Sequence, residues 1–317
     1  MTLTAELLSL IEKADVITIY GHAMPDGDCY GCQVGLRELI RFNYPKKKVY
    51  AVGSGLPILF DEIAPMDEVD EKTIASSLAI LVDVSCLRRV EDPRVYKAKT
   101  WIKFDHHCLN PGLEPFTWPC IVKEGTIAAA EIIIDFAKEC GWKFNKIAAT
   151  CLFLALATDS GRFQFYGTTE HTLALAEEMK SYGVDPDRLY DIVYAEDDTT
   201  KAYKQWMRES AIHDGNVTYL VVSRRQYHER GLPYEKASEY VNALCGLNGT
   251  PIFALFCEDE HGYYRVELRS NRKFPVQPVA KQFGGGGHRY AAGAELRHDG
   301  TNYLDVIHAL NQVEEDP

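Results

Sequence analysis

The sequence predicts an α/β protein: a parallel sheet with helices on both faces, followed by a smaller α+β domain. Three observations carry this reading. In the first half, short apolar runs alternate with helical stretches, the pattern of a mainly parallel sheet covered on both sides. In the second half, strand-like runs follow one another, two of them joined by a turn. Between the halves, the polar stretch AEDDTTKAYKQWMRES (195–210) interrupts the apolar pattern and reads as a connecting helix or linker.

The elements follow in order. MTLTAELLSLIEKADV has Glu6 and Glu12 inside it and no basic leader, so it reads as an amphipathic helix rather than a signal peptide. VITIY (16–20) is a buried strand, and CYGCQVGLRELIRFN is a helix that Pro45 ends. KKVYAVG (47–53), LAILVD (78–83) and WIKFD (101–105) are the next strands. Helices cover 126–141, with Gly141 as a stop, and 146–159; two more fit 169–182 and 186–194. This places a first domain at 1–195, a linker at 196–208 and a second domain at 209–317. In the second domain NVTYLVVS (216–223), PIFALFCED (251–259) and GYYRVELRS (262–270) are strands. The segment 275–293 contains a GGGG run, and a helix near 303–314 closes the chain.

Composition narrows the function classes. A chain of 317 residues is long enough for two cores, and 46% apolar with 25% charged content is ordinary for a soluble globular protein. There is no apolar run of ~18 residues, so no membrane span is expected. Nine cysteines, an odd count scattered through apolar segments, suggest buried thiols in a reducing compartment, hence the cytoplasm. A net charge of −12 argues against a protein that coats long nucleic acid. A small anion is still admissible, because bound metal ions turn an acidic pocket into an anion site.

The acidic and histidine residues fall at element ends. His22, Asp26 and Asp28 follow VITIY; Asp83 ends LAILVD; Asp105, His106 and His107 end WIKFD; Asp159 ends CLFLALATD. In an open parallel sheet, ligands bind beyond the carboxyl ends of the strands. Carboxylates gathered there repel one another unless cations are present. Oxygen donors with imidazole and no thiolate favour Mn²⁺ or Mg²⁺, with enough ligands for two ions. Taken singly, each aspartate is equally explained as a helix or turn cap, as Pro25-Asp26-Gly27 illustrates. Cys29 and Cys32 form a CxxC, but no second CxxC exists to complete a zinc site, so they read as packed thiols.

HAMPDGDCYG, LVDVS, FDHH and ATDSGRF, in that order, resemble the motifs of the DHH phosphoesterase superfamily. RVELRSN followed by FGGGGHRYAAG resembles its DHHA1 domain. Length and domain pair resemble the branch of NrnA-type bifunctional oligoribonucleases and 3′-phosphoadenosine-5′-phosphate (pAp) phosphatases. The resemblance implies that His22 and Asp26 bind one metal, that Asp28, His106 and Asp159 bind another, and that Asp83 bridges them. It implies that His107 faces the scissile phosphate and that Asp105 supports an imidazole or the loop. Relatives often carry DTGxFR at the fourth motif; here Gln164 stands where arginine is common, and Arg162 comes two positions earlier.

In the second domain, Gly285, Gly286 and Gly287 let backbone N–H groups approach a phosphate or base, and His288 follows directly. Arg265 and Arg269 share a strand face, and Ser270 and Asn271 end that strand. Guanidinium forks suit phosphate, although Arg265 is equally explained as a solvated strand position. Lys281 and Arg289 read as surface charges, and the remaining histidines, His298 among them, have no partner pattern.

Together these features point to two-metal hydrolysis of a phosphoester, with short RNA, a dinucleotide or a mononucleotide as substrate. Long nucleic acid and membrane are not expected as partners, and a homodimer is compatible with the reading. Competing readings are a cyclic-dinucleotide phosphodiesterase, a manganese-dependent inorganic pyrophosphatase, a non-catalytic nucleotide sensor and a processive exonuclease.

Overall fold

The computed structural model describes residues 2–107, 118–165, 167–270, 273–297 and 302–316. The expectations that fall on Asn271 and His298 lie outside them. The chain divides into two units, Met1–Ala195 and Glu196–Pro317.

The first unit contains α1 (Leu3–Lys13), β1 (Val16–Tyr20), α2 (Gly27–Asn43), β2 (Lys48–Val52), α3 (Glu71–Ser76), β3 (Leu78–Val82), β4 (Thr100–Asp105) and β5 (Cys120–Val122). It continues with α4 (Ala129–Glu139), α5 (Lys146–Asp159), α6 (Glu170–Ser181) and α7 (Pro186–Val193). Its sheet has the order β2-β1-β3-β4-β5, all parallel. Every residue of LAILV in β3 is buried, as a central strand covered on both faces requires. One face packs Ile19, Ile80 and Phe104 with residues of α2, α4 and α5; the other carries Tyr20, Leu81 and Trp101. The helices α2 and α5 touch through glycine: a Cβ at Gly31 would lie 2.4 Å from the Cys151 carbonyl oxygen. The order reverses beside β1, which continues to β2 on one side and pairs with β3 on the other. That is where an open sheet leaves a crevice at its carboxyl edge.

The second unit contains α8 (Asp198–Ser210), β6 (Ile212–Asp214), β7 (Val217–Val222), α9 (Arg224–His228), α10 (Tyr234–Ala237), β8 (Ile252–Glu258) and β9 (Tyr264–Ser270). It ends with α11 (Gln277–Gln282), β10 (Gly286–His288), β11 (Ala291–Leu296) and α12 (Tyr303–Asn311). Its mixed sheet has the order β10-β11-β9-β8-β7-β6, and only β7 and β8 are parallel among the described strands.

The stretch 195–210, open between a connecting helix and a linker, is largely the helix α8, whose Tyr203 and Met207 are buried in the second unit's core. One apolar residue per turn, four apart, is enough to dock a helix that is otherwise polar. The glycine run enters an edge strand: Gly286, Gly287 and His288 pair with Gly293, Ala292 and Ala291. The backbones approach so closely that a Cβ at Gly285 would lie 2.0 Å from the Gly293 carbonyl oxygen. Among the described residues, no helix is long and apolar enough to cross a membrane.

Candidate metal centre

The carboxyl ends of β1, β3 and β4 deliver the predicted side chains to one place. His22 follows β1 and makes an isolated bridge with Val90. Asp83 follows β3; its N–H continues the ladder by donating to the Phe104 carbonyl at 3.0 Å. Its φ of 50° is left-handed, a conformation that aspartate tolerates better than most residues. His106 and His107 follow Asp105 at the end of β4.

Asp83 is the hub. Its Oδ2 lies 3.3 Å from His22 Nε2, and its Oδ1 lies 3.3 Å from His106 Nε2 and 3.5 Å from His107 Nδ1. The Nδ1 of His106 lies 3.0 Å from the Thr126 carbonyl, and that of His22 lies 3.0 Å from the Ala23 carbonyl. A carbonyl only accepts, so each Nδ1 donates its proton there. Each Nε2 is thereby left as the electron-rich atom, turned toward carboxylate oxygen. Such an arrangement needs a cation between the two, either a proton or a metal ion.

Asp28 and Asp159 complete the second side. Asp28 Oδ2 lies 3.8 Å, and Asp159 Oδ2 3.6 Å, from His106 Nε2. Asp28 is fully buried and accepts N–H bonds from Ala129 (2.7 Å) and Ala130 (3.2 Å) at the start of α4, where the helix dipole favours an anion. Asp159 is the last residue of α5. Gly27, the first residue of α2, brings these two helices together, since a Cβ there would lie 2.4 Å from the Thr158 side chain. Asp26 caps α2 by accepting from the Cys29 N–H at 3.0 Å, and its Oδ1 stands 3.8 Å from His22 Nε2.

The charges report the same crowding. Burial, then repulsion by Asp83, pushes Asp28 up to about 7. Burial, then Asp28 and Asp26, holds Asp159 well above the carboxylate range. Burial would raise Asp83 too, but hydrogen bonds from His106 and His22 outweigh it and hold Asp83 well below that range. Burial alone would lower His22 and His106; their aspartate neighbours reverse this and raise both. A divalent ion relieves the same repulsion and competes with those protons. The donor set therefore fits metal, and Asp28, Asp83 and His106 form one compact triplet of ligand atoms.

The expectation that Asp105 supports an imidazole is met at His107, and what sequence reasoning missed is Lys103 behind it. Asp105 Oδ1 accepts from His107 Nδ1 at 2.7 Å and from its backbone N–H at 3.2 Å. The other oxygen, Oδ2, is held by the buried ammonium of Lys103 at 2.9 Å. The signal was available: Lys103 sits two residues before Asp105 on a buried strand, and so on the same face. Also missed was the place of Cys29, whose Sγ lies within 4.8 Å of ligand atoms of His22 and Asp83.

In the second unit, Arg265 and Arg269 flank Glu267 on β9. Arg265 Nε donates to Glu267 Oε1 at 2.7 Å, and Arg269 Nη1 donates to Glu267 Oε2 at 3.1 Å. Ser270 ends β9, and His288 ends the edge strand β10. Arg162, at a φ of 60°, lies with its guanidinium 4.7 Å from the Tyr194 ring centre.

The DHH family N-terminal domain model matches residues 16–156, and the DHHA1 domain model matches 214–315. The bifunctional oligoribonuclease and PAP phosphatase NrnA of Mycoplasma pneumoniae is 34% identical over 302 residues, 92% of this chain and 91% of that protein. NrnA of Bacillus subtilis is 30% identical over 296 residues, 92% of each chain. The crystal structure of an exopolyphosphatase-related protein from Bacteroides fragilis is 21% identical. It superposes with a TM-score of 0.82, covering 98% of this chain and 95% of that one, and it shares the fold.

Proposed function

The chain belongs to the DHH–DHHA1 phosphoesterase family, and on that premise we propose that it is a metal-dependent hydrolase of short oligoribonucleotides, linear dinucleotides and pAp. One observation carries the reading: the buried Asp83 carboxylate faces His22, His106 and His107, all within 3.5 Å, at the switch point of a parallel sheet. His22, Asp26 and Asp83 hold one divalent ion in this reading, and Asp28, Asp83, His106 and Asp159 hold the second. Mn²⁺ suits the mixture of imidazole and carboxylate best, and Mg²⁺ is the nearest substitute. When bound, such a pair supplies a water of lowered pKa and neutralises phosphate charge.

The chain's own groups do the rest. Asp105, anchored by Lys103, fixes His107 through Nδ1 and directs proton exchange with the phosphoester to Nε2. His106 and His22 are oriented by the Thr126 and Ala23 carbonyls, so both present Nε2. In the second unit this reading assigns substrate binding to Arg269, Ser270, Gly285 to Gly287 and His288, with Arg265 beside them. The names of the relatives and the net charge of −12 both support short substrates.

A substrate panel with Mn²⁺ tests this: pAp, a linear diribonucleotide, a short and a long RNA oligomer, a cyclic dinucleotide and pyrophosphate. Fastest turnover is expected on the linear dinucleotide, pAp and short RNA. Preference for the cyclic dinucleotide or for pyrophosphate overturns the assignment.

A further inference from the structure

Cys29 lies beside the proposed metal ligands, yet the reaction above gives it no part. It is fully buried and is the third residue of α2, where the helix N-terminus favours a negative sulfur. Its Sγ, a ring nitrogen of His22 and a carboxylate oxygen of Asp83 all lie within 4.8 Å of one another. By contrast, Asp26, the residue assigned to the same ion, is 57% exposed, and its Oδ1 is already engaged by the Cys29 N–H.

The sulfur is held in place by shape rather than by strong bonds. A Cβ at Gly21 would lie 2.2 Å from Sγ, so the missing side chain makes its seat. Its polar neighbours are Gln33 Oε1 at 3.6 Å and the His22 carbonyl at 4.0 Å, both long contacts. A divalent ion beside a thiol favours the thiolate.

We propose that Cys29 Sγ is a further ligand of the ion held by His22 and Asp83, and that it tilts this position toward thiophilic ions such as Zn²⁺ or Co²⁺ relative to Mn²⁺. The inference rests on the metal centre proposed above. On binding, the S–H proton leaves to solvent and the sulfur keeps the electron pair; nothing is oxidised. Softness of the thiolate sets the preference.

The full-length chain loaded with Co²⁺ tests this by absorption. The wild-type protein is expected to give a thiolate-to-cobalt charge-transfer band in the near ultraviolet. The band is lost in Cys29→Ser and kept in Cys245→Ser, a substitution at an exposed cysteine. Visible cobalt bands without the near-ultraviolet band in wild type overturn the sulfur ligand and leave the metal centre standing. Absence of all cobalt bands overturns the metal centre and the sulfur ligand together. A band unchanged in Cys29→Ser also overturns the proposal. In competition titrations, Cys29→Ser is expected to lower the preference for Zn²⁺ over Mn²⁺ by about tenfold or more; an unchanged preference counts against it.

Discussion

The two units treat charge in opposite ways. In the first, Asp28, Asp83 and Asp159 crowd around imidazoles, and the protein cation at hand, Lys103, is already bound to Asp105. In the second, Arg265 and Arg269 both share one carboxylate, Glu267. The first region is short of positive charge and calls for bound ions. The second has its positive charge tempered by Glu267. Under the proposed function, metal affinity and substrate affinity would be built by different means in one chain.

The largest break in this comparison is Asp83→Ala. Removing the shared carboxylate is expected to lower kcat on a linear dinucleotide by about 10³-fold or more, with the circular dichroism spectrum unchanged. Activity within a few-fold of wild type would mean that Asp83 is not the hub.

Lys103→Met comes next. It leaves Asp105 buried without its cation, so stability should fall by about 3–5 kcal/mol in denaturant titrations. It should also lower kcat, because His107 loses its anchor. The acid limb of stability should change as well. Burial would raise Asp105, but His107 and Lys103 outweigh it, and the native value is depressed. Its contribution is therefore complete above the ordinary carboxylate value of about 3.9 and is lost as pH falls through the lower native value. In Lys103→Met the native value rises toward the ordinary one, so the loss still begins near the ordinary carboxylate value but is smaller and is complete at higher pH. An identical acid limb in both proteins would remove Lys103 from the account.

The smallest effects belong to the second unit. Arg269→Ala should raise KM for a dinucleotide by about tenfold with little change in kcat, whereas Glu267→Gln should lower KM by about two- to threefold. A small chromogenic diester, which lacks a second nucleotide, should respond to neither. Equal responses on both substrates would dissolve the distinction between the two regions.

The legible part of the site and the hidden part differ in sequence distance. His22, Asp83, Asp105, His106 and His107 could be read because strand ends of a parallel sheet converge whatever the side chains around them. The Ala129 and Ala130 N–H groups that hold Asp28 come from a helix about a hundred residues later, and no local pattern announces them. Cys29 looked like ordinary packing because its neighbours His22 and Asp83 meet it only after β1 and β3 pair. The fold was readable for the same reason: apolar runs such as LAILV mark buried strands directly. Gly286 and Gly287 escaped because glycine carries almost no strand signal, so pairing with β11 decides their state. The stretch of α8 stayed open between helix and linker because its apolar side is narrow, Tyr203 and Met207 with Trp206 beside them.

The central claim is that acidic and imidazole groups gathered around Asp83 work through bound divalent ions. Hydrolysis of a linear diribonucleotide by the full-length chain, after exhaustive chelation and then with Mn²⁺ restored, tests it most directly. The account predicts no turnover in the stripped protein and recovery on adding Mn²⁺. Undiminished turnover by the stripped protein would contradict it.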